Sequence, residues 1–386
     1  MIGLLLGIIY ISFISLGLPD ALLGAAWPTM YQGMGVPVSY AGGIALIISA
    51  GTVVSSLLSD RMTKWLGPGK VTAISVGMTA AALLGFSVSS EFWQLCLWAI
   101  PYGLGAGSVD ASLNNYVALH YASRHMSWLH CMWGVGASVG PYIMGAALTG
   151  GMSWNSGYRY IAIFQMVLTA VLFFSLSLWK NRQDSSDESG KPVKALTMKR
   201  IFAIDGAKEI LLAFFCYCAA EQTAILWSAT YLVRHAGLSE EVAAGFASMF
   251  LVGMTIGRFL SGFVTYKLND TNMIRLGQGI MVLGILVMLL PIGSPAATIG
   301  LMLVGLGCAP IYPCVIHSTP DHFGPENSQA IIGVQMAAAY IGVCTMPPLF
   351  GLIANHISVS LLPLYLAIIT VLMIIMCERL NRRSAR

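Results

Sequence analysis

Apolar residues fall into twelve long runs, at about 3–30, 39–60, 70–89, 92–118, 126–150, 157–180, 209–234, 239–264, 271–292, 295–318, 327–353 and 359–380. None alternates polar and apolar positions as a barrel strand must. Each is near the roughly 20 residues that an α-helix needs to cross about 30 Å of hydrocarbon. Backbone groups in lipid must be paired internally, so the pattern predicts twelve membrane-spanning helices. The one long polar stretch, NRQDSSDESGKPVKALTMKRIFAIDGAK at 181–208, reads as a solvated linker. It leaves six spans in 1–180 and six in 209–386. The fold class expected is therefore an all-α membrane protein of two six-helix bundles.

Composition and charge add compartment and exclusions. Apolar residues make up 57% of the chain and charged residues 9%, with a mean hydropathy of +0.76. That is too little charge to cover a soluble domain of this length. An even number of spans puts both termini on one side. Of the twenty Lys and Arg residues, only Arg159 and Arg234 then fall on the opposite side. The positive-inside rule places the termini in the cytoplasm. The net charge of +4 reflects this topology and points to no nucleic-acid partner. The first run lacks a basic leading region and a cleavage site, so it reads as a spanning helix and not a signal peptide. All eight cysteines sit inside apolar runs and read as small hydrophobes.

Enzyme signatures are missing. GLGAG in the fourth span lacks a strand–loop–helix setting, and GPGK at 67–70 lacks the spacing of a phosphate-binding loop. No HExxH or metal cluster occurs, and GASVG at 136–140 lies inside an apolar run and is no nucleophile elbow. The expectation is a non-enzyme with neither cofactor nor metal, driven by an ion gradient.

The two halves repeat each other. At an offset of 202, Gly51 meets Gly253, Leu58-Ser59 meets Leu260-Ser261, Gly77 meets Gly279, and Gly103-Leu104-Gly105 meets Gly305-Leu306-Gly307. Asp20, Trp27 and Tyr31 in the first span have looser counterparts in Glu221, Trp227 and Tyr231 of the seventh. Repeated six-helix bundles are one way to build alternating access around a midplane site. The arrangement resembles the major facilitator superfamily. SDR at 59–61 is similar to part of that superfamily's signature after the second span, although Ser56 and Thr63 stand where glycines are expected. In the second half, GRFLSG at 257–262 has Gly262 in the position of the aspartate. The resemblance makes Asp60 and Arg61 a charged gating latch; a solvated pair at a helix end is the other reading. Arg258, the third gating candidate, lies near the end of its span and is expected to snorkel toward water.

Three carboxylates lie deep in spans: Asp20 in the first, directly after Pro19, Asp110 in the fourth and Glu221 in the seventh. A charge at that depth costs on the order of several kcal/mol unless it is paired, hydrated or protonated, so each is a candidate functional group. No cation lies near the middle of any span, which argues against phosphorylated or carboxylate substrates and for a neutral or cationic one. A carboxyl group away from bulk water can exchange a proton as its access changes. Proton coupling is expected of Asp20, Asp110 and Glu221; the carboxylates alone leave sodium open.

Groups suited to a polyhydroxylated ligand surround these acids. Asn114 shares the helix face of Asp110, Gln222 follows Glu221, and Trp27, Trp133 and Trp227 offer flat apolar faces. Packing or an interfacial position is the alternative for the tryptophans. His130 in the fifth span is a candidate relay or ligand, with packing as its alternative. Tyr312 is the counterpart of Asp110 in the tenth span.

LHCMWGVGASVGP at the start of the fifth span, YCAAEQTAILWSATYL in the seventh and GLGCAPIYP in the tenth, with Asp20 and Asp110, resemble the fucose–galactose–glucose proton symporter branch. That resemblance implies proton coupling and sugar recognition by Asp20 and Asp110, a bacterial cytoplasmic membrane, and a monomer carrying a hexose or 6-deoxyhexose. Efflux of lipophilic or cationic compounds by antiport with protons is the alternative on the same fold.

Overall fold

A computed structural model of the chain describes residues 2–183 and 196–384, all of its regular structure helical. In chain order the helices are α1 (Ile2–Gly17), α2 (Leu22–Met34), α3 (Tyr40–Leu66), α4 (Pro68–Val88), α5 (Phe92–His120), α6 (Ser123–Thr149), α7 (Trp154–Phe174) and α8 (Leu176–Gln183). They continue with α9 (Met198–Ala203), α10 (Ala207–Arg234), α11 (Glu240–Val264), α12 (Asp270–Met288), α13 (Ser294–His317), α14 (Thr319–Phe323), α15 (Pro325–His356) and α16 (Leu362–Ser384). α1 and α2 form one broken span, so twelve spans stand where twelve apolar runs were expected. Ten of them are long and apolar enough to cross a membrane by length and composition alone. α5 is not among the ten, its apolar residues being diluted by glycines, Asp110, Asn114 and Asn115.

Large apolar side chains face outward along these helices, among them Phe174 at 88% exposure and Trp65 at 82%. Such faces suit a hydrocarbon surround, where only the backbone needs internal partners. Much of the expected linker, residues 184–195, lies outside the described residues. The rest of it is not wholly solvated: α9 buries Ile201.

By contacts the described chain divides into two compact units. One joins the residues up to Tyr116 with Leu129–Leu196; the other joins Val117–Trp128 with Thr197–Arg386. The hairpin Val117–Trp128, which the sequence reading counts with the first six spans, packs within the second unit.

Glycines set the close approaches inside each unit. In the first, a Cβ at Gly103 of α5 would run into the Ile48 carbonyl of α3, and one at Gly105 would come to 2.6 Å from the Ser75 carbonyl of α4. In the second, a Cβ at Gly307 of α13 would lie 2.6 Å from the Gly277 carbonyl of α12. The GLG repeat is thus a packing device used once per unit, as small residues are at membrane helix interfaces. Gly103→Ala should lower stability by about 1–3 kcal/mol by forcing α3 and α5 apart. Gly42→Ala, which meets nothing within 4 Å and exchanges a helical glycine for a better helix former, should not lower it. Thermal unfolding in detergent checks both.

Candidate functional site

The first span breaks where its sequence demands. α1 ends at Gly17, residues 18–21 form turns, and α2 starts at Leu22. Proline has no N–H to continue the i→i−4 ladder. Around Pro19 the bonds shift from Leu18 N→Ile14 O to the tighter Asp20 N→Gly17 O and Leu22 N→Pro19 O. Asp20 sits in this break with its side chain exposed. The Trp133 indole Nε1 donates to its Oδ2 at 2.8 Å, and the Tyr102 hydroxyl donates to its Oδ1 at 3.4 Å.

Trp133 reaches Asp20 because α6 lies tightly against α1. A Cβ at Gly136 or Gly140 would collide with the Ile14 or Leu18 carbonyl, and one at Gly17 with the Trp133 carbonyl. The glycines of α6 are what let the two backbones approach this closely. Trp133 is half-buried, so part of its ring stays open beside the carboxylate.

Asp110 is on α5, 6% exposed. Asn114, one turn on, donates its Nδ2 to Asp110 Oδ1 at 2.7 Å, as their shared face predicts. Asn114 itself is fully buried and its Oδ1 has no protein partner. His130 on α6 is buried with its ring edge-on to Phe13 at 5.4 Å. Trp27 is a core residue: it is 5% exposed, its Nε1 donates to the Val38 carbonyl at 2.7 Å, and it packs with Leu22, Met30 and Ile44. It presents no open face to a ligand, which matches the packing alternative for the tryptophans and not the ligand-binding one.

The second unit is built differently. Arg258 on α11 does not snorkel. It is 3% exposed, and its Nη2 donates to Glu221 Oε1 of α10 at 3.0 Å. Glu221 compensates the guanidinium, so the arginine has no need to reach for water, and the expectation of spans without a deep cation fails here. Arg258 also lies 5.9 Å from the Tyr312 ring centroid, within cation–π range. Tyr312 packs on Phe214 and directs its hydroxyl to Met336 Sδ at 3.2 Å. Gln222 is half-buried. Trp227 is half-buried too, tied by its Nε1 to the Pro347 carbonyl at 3.0 Å and edge-on to Phe350.

At the end of α3, Asp60 is 5% exposed. It pairs with Lys64 at 2.9 Å and accepts from the Leu196 N–H at 3.2 Å, while its sequence neighbour Arg61 is exposed. Gly262, in the aspartate's position of the second half, has the Trp128 indole against it where a Cβ would stand. A side chain there would displace the ring.

One cluster escaped the sequence reading. His317 at the end of α13 sets Nδ1 2.5 Å from Asp270 Oδ2 and Nε2 3.0 Å from the Tyr121 carbonyl, and Ser123 donates to Asp270 Oδ1. Both ring nitrogens face acceptors, which only an imidazolium satisfies in full while Asp270 is ionised. No local spacing could reveal it, because Tyr121, Asp270 and His317 are far apart in the chain.

Comparison with known proteins gives the same fold. Residues 9–298 and 210–385 match the family described as the Major Facilitator Superfamily. The chain is similar to the glucose/mannose transporter GlcP of Bacillus subtilis, 22% identical with 80% of this chain and 77% of the relative covered. It is 23% identical to Bypass of stop codon protein 6 of Saccharomyces cerevisiae, covering 92% of this chain and 78% of that one. Among solved structures it superposes on the E. coli fucose:proton symporter FucP with a TM-score of 0.75, at 15% identity, over 97% of this chain and 98% of that one.

The buried pair carries a prediction. Arg258→Met should cost about 3–5 kcal/mol by stranding Glu221, and adding Glu221→Gln should return most of it. Unfolding of the two single variants and the double variant in detergent measures the coupling. Additive losses would mean that the pair is not its source.

Proposed function

The chain belongs to the major facilitator superfamily, and from that premise we propose that it is a secondary active transporter that takes up a neutral sugar, a hexose or 6-deoxyhexose, together with a proton. The observation that carries this reading is Asp20: a carboxylate in a helix break, exposed, yet gripped by Trp133 and Tyr102. An exposed carboxyl group can exchange its proton directly with water or substrate. An indole beside it can cover the C–H face of a sugar ring while the carboxylate takes its hydroxyls.

Asp110 is the second proton-coupling group. It is buried with Asn114 as its neutral hydrogen-bond donor, and no ion pair to it occurs among the described residues. Glu221 has one, with Arg258. In this reading it stays ionised and holds the Tyr312 region in shape, while the proton travels through the acids of the first unit. Two similar proteins are named for sugars, one for glucose and mannose and one for fucose with a proton, which agrees with this substrate class. In this reading the membrane is the bacterial cytoplasmic one, with both termini on its inner side, which the distribution of Lys and Arg supports. Asp60 serves as a gating residue through Lys64 and the Leu196 N–H.

External pH in a lightly buffered suspension of energy-depleted cells tests the proposal. Adding the right hexose or 6-deoxyhexose should make the medium alkaline, and Asp20→Asn should reduce that signal at least tenfold with protein level unchanged. Sugar uptake that follows sodium instead, with no alkalinisation, would overturn proton coupling. Expulsion of aromatic cations with every sugar inert would overturn the substrate class in favour of efflux.

A further inference from the structure

Behind the break in the first span lies a small cavity of about 10 Å³. Ser12, Ser15, Pro19, Thr79, Tyr102 and Gln165 line it. That is about the volume of a single-water site, and one needs two to four polar partners to be occupied. Two are waiting. Ser15 Oγ and Gln165 Oε1 are buried and have no protein partner, and both residues are 1% exposed.

The Gln165 amide is fixed in orientation. Its Nε2 donates to the Ser15 carbonyl at 2.8 Å, so its oxygen must be the free end. The acceptor it chooses is telling. In a continuous helix the Ser15 carbonyl would receive the N–H of residue 19, four positions on. Residue 19 is proline and has none. Gln165, reaching across from α7, supplies the donor that the sequence of the first span removes. On the other side of the cavity, Tyr102 both lines it and donates to Asp20.

We propose that Gln165 is a positioning residue for Asp20. It replaces the missing Pro19 N–H, holds one ordered water against Ser15 in the cavity, and thereby fixes the break that presents the carboxylate to Trp133 and Tyr102. The site takes water and no other ligand. The inference rests on Asp20 exchanging protons; it does not rest on which substrate is carried.

The test is a cycle of Gln165→Leu, Pro19→Ala and the double variant, made in the full chain and purified in lipid nanodiscs. Two quantities are read: the melting temperature, and an infrared titration of the carboxyl band that Asp20→Asn abolishes. Gln165→Leu should lower the melting temperature, and should move the midpoint of the Asp20 band by about one pH unit, a tenfold change in proton affinity. In the Pro19→Ala background residue 19 regains an N–H, so the same change should cost little stability. Recovery of folded protein only as the double variant would count as the same rescue. Equal losses in both backgrounds, or failure of both variants to fold, would overturn the exchange of donors. Rescue with an unmoved Asp20 band would reduce Gln165 to a purely structural role and overturn positioning. If Asp20→Asn abolishes no carboxyl band at all, the fault lies with Asp20 as the proton carrier, which the stability cycle does not depend on. A high-resolution structure with no density between Ser15 Oγ and Gln165 Oε1 would overturn the water.

Discussion

A carbonyl inside a bilayer has no solvent to turn to, and the arrangement around Asp20 answers that constraint. Pro19 withdraws a donor in the middle of a span, and a side chain from another helix makes good the loss. Once the break is stable, a carboxylate can stand in it without continuing the helix, and the glycine face of α6 can bring an indole to it. Break, acid and aromatic partner are consequences of one missing N–H. Without Gln165 the same proline would be a defect.

How far this was legible in the sequence follows from the range of each interaction. The twelve spans were readable because a lipid surround leaves only one local answer, a helix of about twenty residues. The bond between Asp110 and Asn114 was readable because it spans a single helical turn. The pairing of the Ser15 carbonyl with Gln165 was not, since nothing near residue 165 refers to residue 15. Arg258 was misjudged for the same reason. Its depth was counted along its own helix, where it lies close to the end, whereas its environment is set by Glu221 on another helix. Trp27 was over-read: an aromatic at a useful height in a span looks the same in sequence whether it faces a ligand or the core.

The repeat between halves has a similar lesson. GLG in each half performs the same task of close packing, so the offset survives as geometry. The acids do not follow it. Asp110 has Tyr312 as its counterpart, and Glu221, loosely matched to Asp20, has an arginine where Asp20 has only neutral donors. Packing is repeated and chemistry is not, because a backbone approach tolerates few residues while a polar position can be refitted by changing one partner.

The pair of Glu221 and Arg258 also has an electrical consequence. An electric field across the membrane exerts a force on net charge, about 2.3 kcal/mol per elementary charge for each 100 mV traversed. A carboxylate and a guanidinium 3.0 Å apart carry none between them, so the membrane voltage passes this part of the second unit by. The hydrogen-bond donors described for Asp20 and Asp110 are neutral, so the voltage can act on these acids whenever they are ionised. In the proposed proton-coupled cycle, the voltage would therefore enter through Asp20 and Asp110 in the first unit.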